Sequence, residues 1–207
     1  MTTRLITGAP SGLGRALAER ALAAGHQVVA TARNTDALDD LRAAYPGTAK
    51  SALPGVRGRG NGLLINISSV GAYHHSGRGF YSAAKAALEG LSGPLRKEIE
   101  PSGLRVLVVE PGSFRTDFRG RSADRSSVQI EAYDQVLERT GDSALSPQRG
   151  APEKAAAAIL QAAEDAESPK LLVLGSDALG GLRQAADDPA RDVDRFEQLS
   201  RSTDAAS

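Results

Sequence analysis

Thr7-Gly8-Ala9-Pro10-Ser11-Gly12-Leu13-Gly14 decides how this chain is read, because of what stands on either side of it. Before it, Leu5-Ile6-Thr7 has the composition of a strand end. After it, Leu13, Leu17 and Ala21 recur at helical spacing up to Ala24, and Gly25 supplies the stop. A glycine-rich turn from strand into helix lets the backbone come close to a phosphate. The helix N-terminus then offers that phosphate unpaired N–H groups and the positive end of a dipole. The spacing is G-x-x-x-G-x-G, and among 22 glycines in 207 residues such a cluster by itself means little. Its place within the first 14 residues, between strand and helix, makes it a dinucleotide cradle rather than an ordinary loop. Gly8, Ser11, Gly12, Leu13 and Gly14 are therefore the first candidate cofactor-binding residues.

Outward from this turn the pattern repeats. Gln27 to Thr31 reads as a strand, Asp36 to Tyr45 as a helix, Leu63 to Ile67 as a strand and Tyr81 to Glu100 as a long helix. Arg105 to Val109, a helix from Glu153 to Asp165 and the strand Leu171 to Leu174 follow. Strands alternating with helices predict an α/β fold, a Rossmann-like doubly wound parallel sheet, and near-continuous apolar runs predict strands buried on both faces. At 207 residues, 41% of them apolar, residues 1–207 are expected to form a single nucleotide-binding domain. Residues 114–150 are polar, with a weak helical period at Ile130 to Leu137, and read as a flap over the site. Residues 176–207 form a polar tail in which Leu179, Leu182, Phe196 and Leu199 suffice for one or two docked turns, with Ser202 onward frayed.

At the end of the second strand an acid would bond the adenosine ribose hydroxyls and repel a 2′-phosphate. Val28-Val29-Ala30-Thr31-Ala32-Arg33 has no acid there and ends in a guanidinium whose fork suits a phosphate, against the plainer alternative of a surface arginine. NADP(H) is thus favoured over NAD(H). Composition narrows the rest: 25 basic residues balance 25 acidic ones, so no global field draws the chain to nucleic acid or a membrane surface. Without cysteine there is neither disulfide nor thiolate, and three histidines make no metal set. The start Met1-Thr2-Thr3-Arg4-Leu5-Ile6-Thr7 has no leader-like apolar run and no later stretch approaches a membrane span, so the expected compartment is the cytoplasm.

The chemistry is carried by three residues. Asn66-Ile67-Ser68-Ser69 closes a strand, and Tyr81-Ser82-Ala83-Ala84-Lys85 opens a long helix twelve residues later. One helical turn puts the phenol and the ammonium on one face. A phenol, with a pKa of about 10, is a poor proton donor or acceptor at neutral pH until a nearby cation stabilises its phenolate. A serine at a strand C-terminus stands in the crevice where open α/β sheets bind ligands. Y-x-x-x-K alone describes many solvated helix faces. In order, however, the Thr7 to Gly14 turn, Asn66 to Ser69, Tyr81 to Lys85 and Glu110-Pro111-Gly112-Ser113-Phe114-Arg115-Thr116-Asp117 resemble the signature blocks of the short-chain dehydrogenase/reductase family. The resemblance covers residues 1 to about 45 and about 52 to 175, and Leu199 to Asp204 is similar to tails in one bacterial branch.

That resemblance implies an oxidoreductase moving hydride between NADP(H) and a small carbonyl or secondary alcohol substrate. It makes Tyr81 the acid/base, and Lys85 the cation that lowers the tyrosine pKa and holds the nicotinamide ribose. Ser69 becomes the group orienting the carbonyl oxygen, with Ser68 a second candidate because the family spacing is usually one residue longer. Pro111, Gly112 and Thr116 match the segment at the carboxamide end of the cofactor, and His74, His75 and Ser76 fall in the loop that usually borders substrate. A homo-oligomer is left open.

Between Tyr45 and Leu63 the family carries two strands and three helices for which residues 46–62 leave no room; about 60 to 70 residues of an ordinary domain are absent. The expected result is a sheet of about five strands, in family numbering 2-1-5-6-7 if the first and fifth pair directly, or with a gap filled by another chain. Direct pairing would shift Ser69 and Tyr81 by about one strand spacing, ~4.8 Å, and misplacement by ~1 Å can cost ~10²-fold in rate. A catalytically impaired remnant acting in nucleotide binding or association is therefore the alternative reading.

Overall fold

The computed structural model describes residues 3–32, 34–45, 62–73, 78–119, 130–133, 148–165 and 167–205. β1 (Thr3–Thr7) leads through the glycine turn into α1 (Gly12–Ala23), and β2 (Gln27–Thr31) returns parallel to β1, with Thr3 opposite Gln27 and Thr7 opposite Thr31. A 3-10 turn, Thr35–Leu38, is capped by Asn34, whose side-chain oxygen accepts from the Asp36 N–H; α2 (Asp39–Ala44) follows. β3 (Gly62–Ile67), α3 (Gly79–Ile99), β4 (Leu104–Pro111), α4 (Pro152–Glu164), β5 (Leu171–Leu174) and α5 (Ser176–Arg201) complete the order. β3, β4 and β5 are parallel neighbours in that sequence. The α/β class and the positions of β1 to β5 and α1 to α4 are, within a few residues, those the sequence pattern predicts.

The five strands do not form one sheet. Among the described residues β1 bonds only to β2 and β3 only to β4, so the direct pairing behind the expected order 2-1-5-6-7 is absent and the sheet is split two and three. The helices join the halves instead. α1 packs along α4, through Leu17, Ala18, Ala21 and Leu22 on one and Ala155, Ala156, Ile159 and Leu160 on the other, all in one buried cluster with Ile6, Leu107 and Val109. Glu164, at the end of α4, accepts from Arg4 of β1 at 3.2 Å and lies 3.2 Å from His26 before β2. Helices packed side by side keep about 8–10 Å between axes, roughly two strand spacings. The α1–α4 contact therefore sets the distance between the sheets beneath, whether or not a strand fills it.

Two further expectations change. Burial on both faces holds for β4, where Val106 to Pro111 are all buried, but Leu5 on β1 and Leu64 on β3 are exposed, no described helix covering them. The tail, expected to dock in one or two turns, is a continuous 26-residue helix with only Ala178 and Ala185 buried. Its second half is held by local pairs at helical spacing, Arg191 with Asp188 and Arg201 with Glu197, and tolerates Pro189. No described helix is long and apolar enough to cross a membrane.

Candidate active site

The glycine turn is built by two different constraints. Gly8 and Gly12 have φ of +65° and +57°, a region that side chains strain to enter. Gly14 is needed for space: a Cβ there would collide with the Gly8 carbonyl oxygen, so α1 could not close on the turn. Ala9 is wholly buried, while Ser11 stays exposed at the helix N-cap without a side-chain capping bond. The first intrahelical bond is Arg15 N–H to Ser11 O, which leaves the N–H groups of Gly12, Leu13 and Gly14 to point out of the helix end. These features fit a pyrophosphate, held by backbone donors at close range.

Ser68 and Ser69 leave β3 in different roles. Ser68 is 2% exposed and its hydroxyl donates to the Lys85 carbonyl at 3.4 Å, which ties strand to helix. Ser69 is half-buried, and its oxygen accepts the Gly71 N–H at 3.1 Å, capping the 3-10 turn Val70–Ala72 and leaving its own proton to donate. Asn66 fastens the same strand to α3 by donating to Ser92 at 2.9 Å, and Ser92 donates in turn to the Leu88 carbonyl at 2.6 Å.

Tyr81 and Lys85 share a face of α3, with the ammonium 5.8 Å from the phenol ring centroid. Lys85 donates one N–H to the Ile67 carbonyl at 2.9 Å, so two remain for a ligand. Burial pushes the ammonium below the ordinary lysine range, and the Glu89 carboxylate one turn on pulls it back part way. The ring of Phe118 lies 5.8 Å from that of Tyr81, tilted by 50°, and covers one side of the phenol.

After β4, Gly112 donates to the Leu174 carbonyl at 2.9 Å and Ser113 donates its N–H to Asp177 Oδ2 at 2.7 Å. A Cβ on Gly112 would meet that carboxylate, so glycine is required for Asp177 to hold the turn. The Thr116 side chain reaches within 3.6 Å of where a Cβ on Gly12 would stand. The two ends of the expected flap meet, Phe114 and Gly150 forming a parallel bridge; residues 120–129 and 134–147 between them lie outside the described residues.

One cavity of about 810 Å³ gathers these parts. Ser11, Gly12 and Leu13 line it from the glycine turn, Ser68 and Ser69 from β3, Tyr81 and Lys85 from α3, and Pro111, Gly112 and Thr116 from the segment after β4. Gly8 and Gly14 shape the turn behind that wall. Arg33, His74, His75 and Ser76 lie outside the described residues. Asp177 is a site residue that reading the sequence missed, as are Phe118 and Tyr73; for Asp177 a cue was present. Its signal was modest: an acid in the first turn of a helix that opens directly after a strand and Gly175.

Comparisons with known proteins agree with this architecture. The family model for short chain dehydrogenase matches residues 43–127. A crystal structure of a short-chain dehydrogenase from Streptomyces avermitilis superposes with a TM-score of 0.88 at 35% identity, covering 98% of this chain and 98% of that one. The chain belongs to the short-chain dehydrogenase family. Other proteins are similar over most of their length: Oxidoreductase BOA17 of Botryotinia fuckeliana (strain B05.10) is 26% identical over 268 residues, 94% of this chain and 96% of that protein. A short-chain dehydrogenase from Sphingobium yanoikuyae, solved in complex with NADPH, shares the fold with a TM-score of 0.63 at 23% identity, covering 100% of this chain and 99% of that one.

Proposed function

We propose that this short-chain dehydrogenase family member uses NADP(H) to reduce a carbonyl, or to oxidise the corresponding secondary alcohol. The observation that carries the reading is the single cavity in which the glycine turn, Ser69, Tyr81, Lys85 and the Pro111–Gly112 turn meet. A bound nicotinamide would supply or take the hydride. The backbone N–H groups of Gly12, Leu13 and Gly14 would hold the pyrophosphate, and Arg33 a 2′-phosphate. Pro111, Gly112 and Thr116 would hold the carboxamide end, with Asp177 fixing the turn from behind.

The protein's own part in the chemistry is proton transfer and orientation. In the reducing direction the Tyr81 hydroxyl gives its proton to the carbonyl oxygen, and the Lys85 ammonium, with two N–H groups uncommitted, offsets the negative charge left on the phenol oxygen. The Ser69 hydroxyl donates to the same carbonyl oxygen. Ser68, buried and bonded to helix backbone, is the weaker candidate for that task. Phe118 packs its ring against that of Tyr81.

The second reading, an impaired remnant limited to nucleotide binding or association, draws support from the split sheet and the bare Leu5 and Leu64. The Botryotinia fuckeliana alignment runs over more positions than the 207 residues present here, so that protein has residues without a counterpart in this chain. Titration of the purified protein with NADPH, followed by fluorescence and then by NADPH oxidation with a panel of ketones and aldehydes, separates the two. Saturable binding with carbonyl-dependent oxidation, lost in Tyr81→Phe, is the expected result; binding without oxidation by any substrate would favour the remnant.

A further inference from the structure

Among the described residues Glu110 is the only acid or base with no exposed surface. It interrupts the apolar run Val106 to Val109 at the end of β4, one residue before the Pro111–Gly112 turn. Tyr73, just beyond the turn that Ser69 caps, donates its hydroxyl to Glu110 Oε1 at 3.0 Å and lies 3.4 Å from Glu89 Oε2. Glu89 stands on α3 one turn past Lys85. The cluster thus draws one residue from each of the three segments that carry Ser69, Lys85 and Pro111–Gly112.

Its protons can be counted. A phenol has one, so Tyr73 can donate to only one of the two carboxyl groups. Glu110 Oε2 and Glu89 Oε1 are both buried and without a partner. An ionised Glu110 beside the Glu89 carboxylate would be a buried charge with a single hydrogen bond, whereas a proton on Glu110 removes that charge. Burial first, then the charge of Glu89 and a hydrogen bond to it, push the Glu110 carboxyl up to about 7, and the bond from Tyr73 opposes the rise. Burial and the two carboxylates push the Tyr73 phenol well above its ordinary range, so that it stays a donor.

We propose that Glu110, bonded by Tyr73 beside the Glu89 carboxylate, is a positioning residue of this site: protonated, it locks the three cavity walls together, and ionised, it releases them. The proposal rests on the reading of the cavity as a cofactor site. The described titratable groups around it are few. Glu89 faces it from α3, Lys85 one turn earlier lies near enough to feel the Glu89 charge and donates one N–H to the Ile67 carbonyl, and Tyr73 faces it from beyond Ser69. Uncharged Val173 stands opposite on β5, and Asp177 of α5 is turned to the Ser113 N–H. Ionisation would place a second negative charge beside the Pro111–Gly112 turn, next to that of Glu89, on a carboxyl whose one described hydrogen bond comes from Tyr73.

The test is NADPH affinity, by fluorescence titration of the whole chain from pH 5.5 to 9. The wild type is expected to lose about fivefold or more in affinity as pH rises through about 7, a loss typical of coupling between linked sites. Glu110→Gln should hold the low-pH affinity throughout. Tyr73→Phe removes the bond that favours ionisation, so the midpoint should move to higher pH; Glu89→Gln removes the repelling charge, so it should move to lower pH. A merely structural role would not shift the midpoint in opposite directions. Parallel profiles in wild type and Glu110→Gln, or shifts of the wrong sign in the other two, overturn the proposal. Should Glu110→Gln fail to fold, the two opposed shifts decide alone. Absence of NADPH binding at every pH would instead remove the cofactor reading and this proposal with it.

Discussion

At the scale of single residues the cavity separates groups that would react from groups that hold them. Tyr81→Phe removes a proton and little else, so carbonyl-dependent NADPH oxidation should fall by about 10²-fold or more while NADPH affinity stays within a factor of two; steady-state rates beside a binding titration check this. Asp177 is the opposite kind of residue. Asp177→Ala would remove the bond to the Ser113 N–H, at a cost of about 0.5–1.5 kcal/mol, and free the Pro111–Gly112 turn. A weaker NADPH dissociation constant with the ketone preference unchanged is expected, and a change confined to turnover would count against the assignment. Arg33→Ala should weaken NADPH more than NADH, read from the ratio of the two dissociation constants; equal losses would deny the 2′-phosphate role.

At the scale of elements, legibility in the sequence followed the locality of the cause. The strand–turn–helix at residues 3–23 was readable because each glycine answers a constraint within a few residues: left-handed backbone at Gly8 and Gly12, closeness to the Gly8 carbonyl at Gly14. Gly14→Ala would force α1 away from the turn. A loss of about 1–3 kcal/mol is expected from overpacking, seen as a lower melting temperature, together with weaker NADPH binding. Tyr81 and Lys85 were equally legible, since helical spacing alone puts them on one face. Ser69 and Ser68 were not separable by spacing; the burial of Ser68 against α3 distinguishes them. α5 was underestimated because its second half buries almost nothing, and apolar spacing is a poor guide to a helix held by Arg–Asp and Arg–Glu pairs.

At the scale of the molecule the halves of the sheet depend on the helix pair above them. Ile159, 1% exposed on α4, belongs to the buried cluster that holds α1 and α4 together. Ile159→Ala should cost about 2–5 kcal/mol, with the β1–β2 half opening first. Hydrogen exchange that accelerates in β1 and β2 before β3 to β5 would show it, and uniform acceleration would not. Glu110 gives the whole fold a pH dependence. Its carboxyl titrates at about 7 in the folded chain against an ordinary 4.5, so the folded state binds this proton more tightly than the unfolded one. That contribution is fully present below about pH 4.5 and is lost as pH rises through 7. Melting temperatures should therefore decline between pH 5 and 8 in the wild type and decline less in Glu110→Gln.

Residue order alone determined the local geometry of this protein: the phosphate-ready turn, the phenol–ammonium pair one helical turn apart, and the alternation that makes an α/β fold. All of these depend on contacts between residues close in the chain, which spacing and residue type express directly. Tertiary structure decided what no spacing could: that β1 and β3 do not pair, that Asp177 braces the Pro111–Gly112 turn, and that Glu110, Glu89 and Tyr73 meet. The reason is that those outcomes are set by helices packing across the sheet, and the Glu110 carboxyl is pushed up by the burial and the neighbouring charge that this packing brings to it.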